Sequence, residues 1–220
     1  MLNWDAIDTV LLDMDGTLLD LHYDNHFWLE HVPRRYAEKH GIPAEEARAQ
    51  LRARYDRLAG SMQWYCVDYW SRELELDIAR LKREVAHLIA VHSDVVPFLE
   101  AVRALGKRVV LVTNAHQVSL ALKMEQTGLA RFFDRLVCAH EFGVPKEEAS
   151  FWTYLAKQEP FAPDRTLLID DSLPVLRSAR AHGIRHLLAV AQPDTRAPRK
   201  QVEEFPVLTR FADVTPFTPT

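Results

Sequence analysis

The 220-residue sequence predicts an α/β protein with a Rossmann-like, doubly wound parallel sheet and an inserted all-helical subdomain after strand 1. Three observations support this fold class: short apolar runs, helical periodicity between them, and one connection far too long for a simple crossover. Continuous apolar runs are typical of strands that are buried on both faces of a parallel sheet. Strands that alternate with helices favour right-handed crossovers.

The predicted strands and crossover helices alternate along the chain. The five apolar runs are Thr9–Leu12, Arg108–Val112, Arg135–Ala139, Thr166–Ile169 and His186–Val190. Three crossover helices have apolar residues at helical spacing and end at or near a glycine, which is a common termination signal. They are Val95–Leu105, Gln117–Thr127 and Leu173–His182.

About 75 residues separate the first strand from the helix that begins at Val95. A structureless loop of this length would be unusual in a compact domain, so we predict an inserted helical subdomain. Its predicted helices are Asn25–Lys39, Glu45–Ala59, Met62–Leu74 and Asp77–Val91. The predicted division is a core of residues 1–18 and 92–220 and a helical subdomain of residues 19–91. The proline-rich last 30 residues are predicted to form an irregular tail over the core surface.

Composition excludes several classes of protein. The net charge of −4 shows no basic surplus, which argues against a nucleic acid polymer as partner. No apolar run reaches the roughly 18–20 residues of a membrane helix, and the first residues do not resemble a signal peptide. Cys66 and Cys138 lie outside any C-x-x-C or Cys/His motif, which argues against a zinc site or a redox pair. We expect a cytoplasmic protein with two free thiols, and its oligomeric state stays open.

Asp13 and Asp15 follow the first predicted strand directly. Residues two apart on a strand face the same way, so both carboxylates are predicted to project from the carboxyl end of the sheet. Such a pair needs a cation or a shared proton, and oxygen ligands of this kind suit Mg²⁺. An EF-hand does not fit, because its Gly and Glu positions hold Leu18 and Asp24. A turn-capping pair and a glycosyltransferase-type D-x-D both stay open from these two residues alone.

Two further strand ends and one lysine extend the pattern. Thr113-Asn114 follows the second strand, Asp170-Asp171 follows the fourth, and Lys146 opens a helical stretch after Pro145. Each has an ordinary structural explanation, such as helix capping by Thr113 or Asp171 or a solvated position for Lys146. Together they bring carboxylates, a hydroxyl and an ammonium to one edge of the sheet. This combination predicts an active site that binds an anion and a divalent cation.

The segments LLDMDGT, LVTN, Lys146 and LLIDD resemble the four motifs of the haloacid dehalogenase-like hydrolase superfamily. The resemblance implies that Asp13 is the nucleophile and Asp15 the general acid and base. It implies phosphate binding by Thr113 and Lys146, and Mg²⁺ binding by Asp13, the main-chain carbonyl of Asp15, and Asp170. Asp171 is expected beside the metal, either as a ligand or in contact with a ligand. The dehalogenases proper lack the second aspartate, so its presence here favours phosphoryl transfer.

Further phosphate contacts are predicted around the same motifs. The main-chain amides of Met14 and Asp15 are expected to face the phosphate, and Asn114 follows Thr113 at the same strand end. Positive and hydrogen-bonding groups of this kind would stabilise the charge on a transferring phosphoryl group.

A closer resemblance extends over most of the chain, to the bacterial GMP/IMP nucleotidase group. It rests on LLDMDGTLLDL, DNHFW, WYCVDYWS, VTNAH, FGVPKE and TLLIDDS. It implies hydrolysis of a small phosphomonoester, a purine 5′-mononucleotide, to nucleoside and phosphate. A sugar-phosphate phosphatase, a phosphomutase and a non-catalytic binding protein stay open as alternatives.

Substrate contacts are predicted in the helical insertion. Tyr65 and Tyr69 share a face if residues 62–74 form one helix. The aromatic residues there could stack on the substrate or simply pack the core of the insertion. The candidate substrate residues are Asn25, His26, Trp64, Tyr65, Asp68 and Tyr69.

Overall fold

The computed structural model describes residues 2–216. Its sheet has six strands, and every neighbouring pair is parallel. They are β1 (Thr9–Leu12), β2 (Arg108–Thr113), β3 (Arg135–Cys138), β4 (Thr166–Asp170), β5 (His186–Val190) and β6 (Val207–Leu208). The spatial order is β3-β2-β1-β4-β5-β6, so the first strand of the chain lies between β2 and β4.

The sheet is covered on both faces, as expected for a doubly wound fold. Side chains alternate along β1, so Val10 and Leu12 join one hydrophobic cluster and Leu11 joins the other. Helices α7 (Val95–Ala104) and α8 (Gln117–Thr127) pack on the first face. The second face is covered by α9 (Ala149–Gln158) and α10 (Leu173–Ala181). The predicted fold class and all five predicted strands are therefore confirmed.

The C-terminal tail is more regular than predicted. Val207 and Leu208 form β6, which pairs with Ala189 and Val190 of β5. Farther along, Phe211 packs against Phe98 of α7, with ring centroids 4.9 Å apart. The prediction of a wholly irregular tail was wrong, because a two-residue strand between prolines is too short to leave a pattern in the sequence.

The connection after β1 is helical, as predicted. Its helices are α1 (His22–His26), α2 (Val32–His40), α3 (Ala44–Leu58), α4 (Met62–Tyr65), α5 (Val67–Leu74) and α6 (Ile78–Glu84). They share a hydrophobic cluster of their own, which includes Phe27, Leu51 and Trp70. The assignment of residues 19–91 to a separate domain stays a prediction. No helix within residues 2–216 is long and apolar enough to span a membrane.

Three of the four predicted insertion helices differ from the prediction. The helix predicted over Asp77–Val91 ends at Glu84 and is followed by a 3-10 turn, Ala86–Leu88, and two others are interrupted. A π-helical turn, Phe27–His31, joins α1 to α2 ahead of Pro33, which has no N–H to donate to the preceding turn. Cys66 has extended backbone angles (φ −86°, ψ 112°) and ends α4, and its sulfur then accepts a hydrogen bond from the amide of Tyr69 in α5. The prediction of one helix over Met62–Leu74 was wrong, and so was the shared helical face of Tyr65 and Tyr69.

Candidate active site

One buried ammonium joins two aspartates at the carboxyl edge of the sheet. Asp13 follows β1 and Asp170 ends β4, so the pairing of these strands brings the carboxylates together. Lys146 Nζ donates to Asp13 Oδ1 at 2.6 Å and to Asp170 Oδ2 at 2.7 Å. Its third donor reaches the main-chain oxygen of Val112 at 3.0 Å. The side chain of Lys146 is only 2% exposed, which makes this a fully internal ion-pair cluster.

A third carboxylate completes a candidate metal site. Carboxylate oxygens of Asp13, Asp170 and Asp171 lie within 4.8 Å of one another. Oδ2 of Asp13 is buried and has no hydrogen-bond partner among residues 2–216. Buried polar atoms without partners are rare, and a hard cation such as Mg²⁺ would satisfy this one. The carboxylate cluster therefore fits a divalent cation.

Burial and mutual repulsion perturb these groups. Burial raises the pKa of Asp13 to about 6, although the Lys146 ammonium works against this increase. Burial raises the pKa of Asp170 as well, with Lys146 again opposing it. Burial disfavours the Lys146 ammonium, but the two carboxylates outweigh it and raise the pKa of Lys146 well above its ordinary value. Lys146 therefore remains a cation throughout the neutral range.

Asp15 belongs to a separate charge cluster. Lys123 Nζ donates to Asp15 Oδ1 and to Asp24 Oδ2, both at 2.6 Å. Lys82 Nζ lies 3.4 Å from the other oxygen of Asp24. Burial, together with the charge of Asp24, raises the pKa of Asp15 to about 7 against the effect of Lys123. The sequence analysis missed Lys82, Lys123 and Asp24, because lysines in amphipathic helices are usually solvated.

The loop after β1 is tight around Gly16. The φ of Gly16 is +84°, in the left-handed region that favours glycine. A Cβ at this position would lie 2.9 Å from Cγ of Asp171 and 2.9 Å from Cβ of Pro193. Leu19 donates its amide to the main-chain oxygen of Met14 and accepts one from Gly16, which closes the turn. The loop thus holds Asp13 and Asp15 close to Asp171.

The end of β2 organises the approach to Lys146. Asn114 Oδ1 accepts a hydrogen bond from the Lys146 amide at 2.9 Å, and its Nδ2 donates to Glu147 at 2.8 Å. Thr113 Oγ1 accepts a hydrogen bond from the amide of Ala115 at 3.0 Å. The structure brings Thr113 and Asn114 to the predicted edge. The prediction that Lys146 opens a helix was wrong. Lys146 lies in a turn, and α9 begins only at Ala149.

Two residues missed by the sequence analysis connect distant segments to this edge. Glu147 also accepts a hydrogen bond from the hydroxyl of Tyr65 in the insertion, at 2.8 Å. Lys200, in the C-terminal tail, donates to Asp171 Oδ2 at 3.0 Å. Neither contact is visible in the sequence, because the partners are 82 and 29 residues apart.

A cavity of about 390 Å³ lies between the insertion and this edge of the sheet. Asp15 and Lys123 border it from one side, and Asn25, Trp64 and Tyr65 border it from the other. These three were predicted substrate contacts. The indole of Trp64 also packs among the aromatic rings of the insertion, and the main-chain oxygen of Trp64 accepts a hydrogen bond from the indole N–H of Trp70. Trp64 therefore also has the alternative role in packing that the sequence analysis considered. The other residues around the cavity include Trp28, Arg52, Tyr55, Asp56 and His116.

Three other predicted substrate residues lie away from the lining of this cavity. His26 packs beside His22, with ring centroids 6.1 Å apart. Tyr69 packs edge-on against Trp70 at 5.2 Å, and Asp68 is largely exposed, 3.6 Å from Nε2 of His116. The break at Cys66 explains why Asp68 and Tyr69 lie outside the cavity lining, since α5 does not continue α4 as one helix.

A parallel α/β sheet with clustered carboxylates and a buried lysine at its carboxyl edge forms an active site suited to an anionic substrate and a divalent cation. The chain belongs to the haloacid dehalogenase-like hydrolase family, whose sequence model matches residues 7–183. The family resemblance of the four motifs is therefore confirmed.

One sequence relative and two solved structures are similar to the chain over most of its length. It is 43% identical over 213 residues to the GMP/IMP nucleotidase YrfG of Escherichia coli, covering 97% of this chain and 96% of that relative. Its fold resembles the crystal structure of a HAD phosphatase from Thermococcus onnurineus, with a TM-score of 0.80 and 22% identity over 94% of this chain and 96% of the other. The HAD-hydrolase YfnB from Bacillus subtilis, solved bound to magnesium, aligns with a TM-score of 0.66 and 20% identity over 94% and 96% of the two chains.

Proposed function

We propose that the protein hydrolyses purine 5′-mononucleotides of the GMP and IMP type, with Mg²⁺ and through an aspartyl-phosphate intermediate. The main support for this chemistry comes from the contacts of the Asp13 carboxylate. One of its carboxylate oxygens is held by Lys146, and the other is buried beside Asp170 and Asp171 with no hydrogen-bond partner in the described part of the chain. A carboxylate in this arrangement is oriented by Lys146 and presents its second oxygen to a divalent cation.

The carboxylates of Asp13, Asp170 and Asp171 would hold the metal. The sequence motif adds the main-chain carbonyl of Asp15. A bound Mg²⁺ would neutralise negative charge on the phosphate and so allow an anionic nucleophile to approach it.

The chain's own residues supply the remaining chemistry. A carboxylate oxygen of Asp13 attacks phosphorus, and the ester P–O bond breaks. Asp15 gives a proton to the departing oxygen, then takes one from the water that attacks the phosphorus of the intermediate and releases Asp13. Lys146 and the hydroxyl of Thr113 would bind the phosphoryl oxygens, as would the main-chain amides of Met14 and Asp15. Asn114 positions Lys146 by accepting a hydrogen bond from the main-chain amide of Lys146.

The lining of the cavity supports a purine nucleoside as the leaving group. Trp28, Tyr55 and Trp64 provide aromatic surface on the side of the insertion. Arg52 and Asp56 border the same cavity, and Arg52 Nε donates to Asp56 at 3.0 Å. Guanine and hypoxanthine share a C6 oxygen and an N1–H, which suit a guanidinium and a carboxylate, respectively. Adenine has neither group, so this pair would favour GMP and IMP over AMP.

Phosphate release from GMP, IMP, AMP, UMP, several sugar phosphates and p-nitrophenyl phosphate, with and without Mg²⁺, tests the proposal. We expect Mg²⁺-dependent turnover with kcat/KM highest for GMP and IMP, and at least a 1,000-fold loss in Asp13→Asn. Turnover that is highest for sugar phosphates would contradict the substrate. An isomerised phosphate ester instead of free phosphate would indicate a mutase, and inactivity on the whole panel would contradict the enzymatic proposal.

A pair of variants separates recognition of the base from the chemistry. Arg52→Met should lower kcat/KM for GMP at least tenfold and leave p-nitrophenyl phosphate hydrolysis unchanged, since that substrate has no purine. Arg48→Met is the matched control, because Arg48 lies on the same helix but pairs with Glu30 at 2.7 Å. Equal effects of the two variants on GMP would contradict the assignment of Arg52.

A further inference from the structure

Three side chains with metal-binding atoms meet at one point beside the cavity. Cys66 lies between α4 and α5 in the insertion, His116 lies between β2 and α8, and His140 lies in the turn after β3. One ligand atom from each lies within 4.8 Å of the others. The sequence analysis expected no such site, because the three residues are 24 to 74 positions apart. The fold alone brings them together.

Each of the three side chains has the capacity to bind a metal. Cys66 is a free, half-buried thiol. Nε2 of His140 is buried and has no hydrogen-bond partner among residues 2–216. The rings of His116 and His140 meet edge to face, with centroids 4.9 Å apart. Asp68 lies outside this group of three, with a carboxylate oxygen 3.6 Å from Nε2 of His116 at the exposed side.

We propose that Cys66, His116 and His140 form a second metal site, which takes Zn²⁺. One thiolate and two imidazoles suit this borderline metal, whereas Mg²⁺ prefers oxygen ligands only. The site is distinct from the carboxylate cluster of Asp13. Binding displaces the thiol proton of Cys66 to solvent as the sulfur–metal bond forms.

A metal at this site would restrain the enzyme. Cys66 comes from the insertion, whereas His116 and His140 come from the edge of the sheet, so the metal would tie the two together. His116 also borders the cavity that holds Asp15. Substrate entry and product release require space between the insertion and the sheet edge, so a tie there slows turnover. Zn²⁺ is therefore an inhibitor in this proposal, acting at a site that Mg²⁺ does not occupy.

Cobalt absorption of the metal-free, full-length protein tests the site directly. Co²⁺ replaces Zn²⁺ in sites of this type, and a Cys ligand adds a thiolate-to-cobalt charge-transfer band. We expect this band at one equivalent of Co²⁺, bleached by one equivalent of Zn²⁺ and unaffected by excess Mg²⁺. Cys66→Ser should abolish it and Cys138→Ser, at the other cysteine, should keep it. Absence of the band, or its persistence in Cys66→Ser, overturns the proposal.

The histidine ligands have a matched control of their own. His140→Gln should weaken Co²⁺ binding at least tenfold. His186→Gln should leave binding unchanged, because Nε2 of His186 is also buried without a partner among the residues that the structure describes but does not belong to the cluster. Equal affinities of His140→Gln and the unchanged protein would overturn the assignment of His140.

Inhibition tests the regulatory part. In the presence of excess Mg²⁺, Zn²⁺ should inhibit phosphate release at a concentration at least tenfold lower for the unchanged protein than for Cys66→Ser. Equal sensitivity would overturn the inhibitory role. The cobalt band does not depend on catalysis, so failure of the proposed nucleotidase activity and failure of this metal site are separate results.

Discussion

At the scale of single residues, two buried lysines divide the site into two charge clusters. Lys146 lies between Asp13 and Asp170, and Lys123 lies between Asp15 and Asp24. The two aspartates of the first loop are only two residues apart in sequence, yet each has its own ammonium partner. Separate environments allow two neighbouring carboxylates to take different roles, one as nucleophile and one as acid and base.

Replacement of Lys123 by Met should be costly both to stability and to turnover. It leaves Asp15 without its ammonium partner and Asp24 with only the more distant Lys82, and removal of one member of a buried ion pair costs about 3–5 kcal/mol. We expect a loss of that order in the free energy of unfolding, measured by urea denaturation, and at least a tenfold fall in kcat. Lys157→Met, at an exposed position of α9, should change stability by less than about 0.5 kcal/mol. Similar losses in both variants would contradict the ion-pair assignment.

Lys82 should make stability depend on pH in the alkaline range. Burial, with help from the charge of Lys123, lowers its pKa from 10.5 to about 8 against the effect of Asp24. Between these values the unfolded chain binds more protons at this residue than the folded protein, so the contribution of Lys82 to stability rises with pH. Urea denaturation from pH 7.5 to 10.5 should show the unchanged protein gaining up to about 3 kcal/mol relative to Lys82→Met. A stability difference between the two proteins that does not change with pH would contradict the lowered pKa of Lys82.

The sequence predicts the residues of this site that follow strands directly, and misses those that reach it from helices. Asp13, Thr113 and Asp170 are recognisable because a polar residue after an apolar run marks the carboxyl end of a strand. Lys82 and Lys123 lie in helices, where a lysine usually faces solvent. Their burial depends on how the insertion packs on the core, which no local pattern records.

At the scale of elements, the interruption at Cys66 matters more for the site than any helix boundary. It ends α4 so that Trp64 and Tyr65 face the cavity, and it turns α5 so that Tyr69 packs on Trp70. A helical periodicity runs through this segment in the sequence, because both short helices are amphipathic. The break lies at Cys66, whose extended backbone ends α4 and whose sulfur caps the start of α5, and cysteine is an uncommon cap.

The short C-terminal elements should contribute strongly to stability despite their irregular sequence. Phe211 is buried to 97% and packs on Phe98. Removal of a buried phenylalanine side chain typically costs about 3–5 kcal/mol, so Phe211→Ala should lower the free energy of unfolding by that amount. Val207→Ala is the matched control, because Val207 is 40% exposed, and it should cost less than about 1 kcal/mol. A loss below about 1 kcal/mol for Phe211→Ala would show that this segment does not belong to the folding unit.

At the scale of the whole molecule, the insertion and the core meet around the candidate site itself. Asp24 of the insertion pairs with Lys123 of α8, and Tyr65 pairs with Glu147 beside Lys146. Both links connect a residue of the insertion to one that positions a proposed catalytic group. The position of the insertion is therefore tied to the geometry of the chemistry.

Loss of one of these links should impair catalysis with little effect on folding. Tyr65→Phe removes the hydroxyl that donates to Glu147 at 2.8 Å and leaves Glu147 with Asn114. We expect a three- to tenfold fall in kcat/KM for the best substrate, with a change in the free energy of unfolding of about 1 kcal/mol. Tyr69→Phe, on the other side of the break, should have a smaller kinetic effect. A larger effect at Tyr69 would contradict the importance of the link between Tyr65 and Glu147 and would support the predicted substrate contact of Tyr69.

The central position of β1 has a consequence for synthesis of the chain. Thr9 pairs with Arg108 on one side and with Thr166 on the other, so β1 leaves the ribosome almost a hundred residues before its first partner. The hydrophobic cluster of the insertion, by contrast, is complete once Val85 has emerged. Since contacts distant in sequence form late, the nascent chain carries an unpaired apolar strand while its helical insertion already has every member of its core. Nascent chains that have emerged to between residues 90 and 107 should therefore depend on chaperones more than chains that have emerged beyond residue 190.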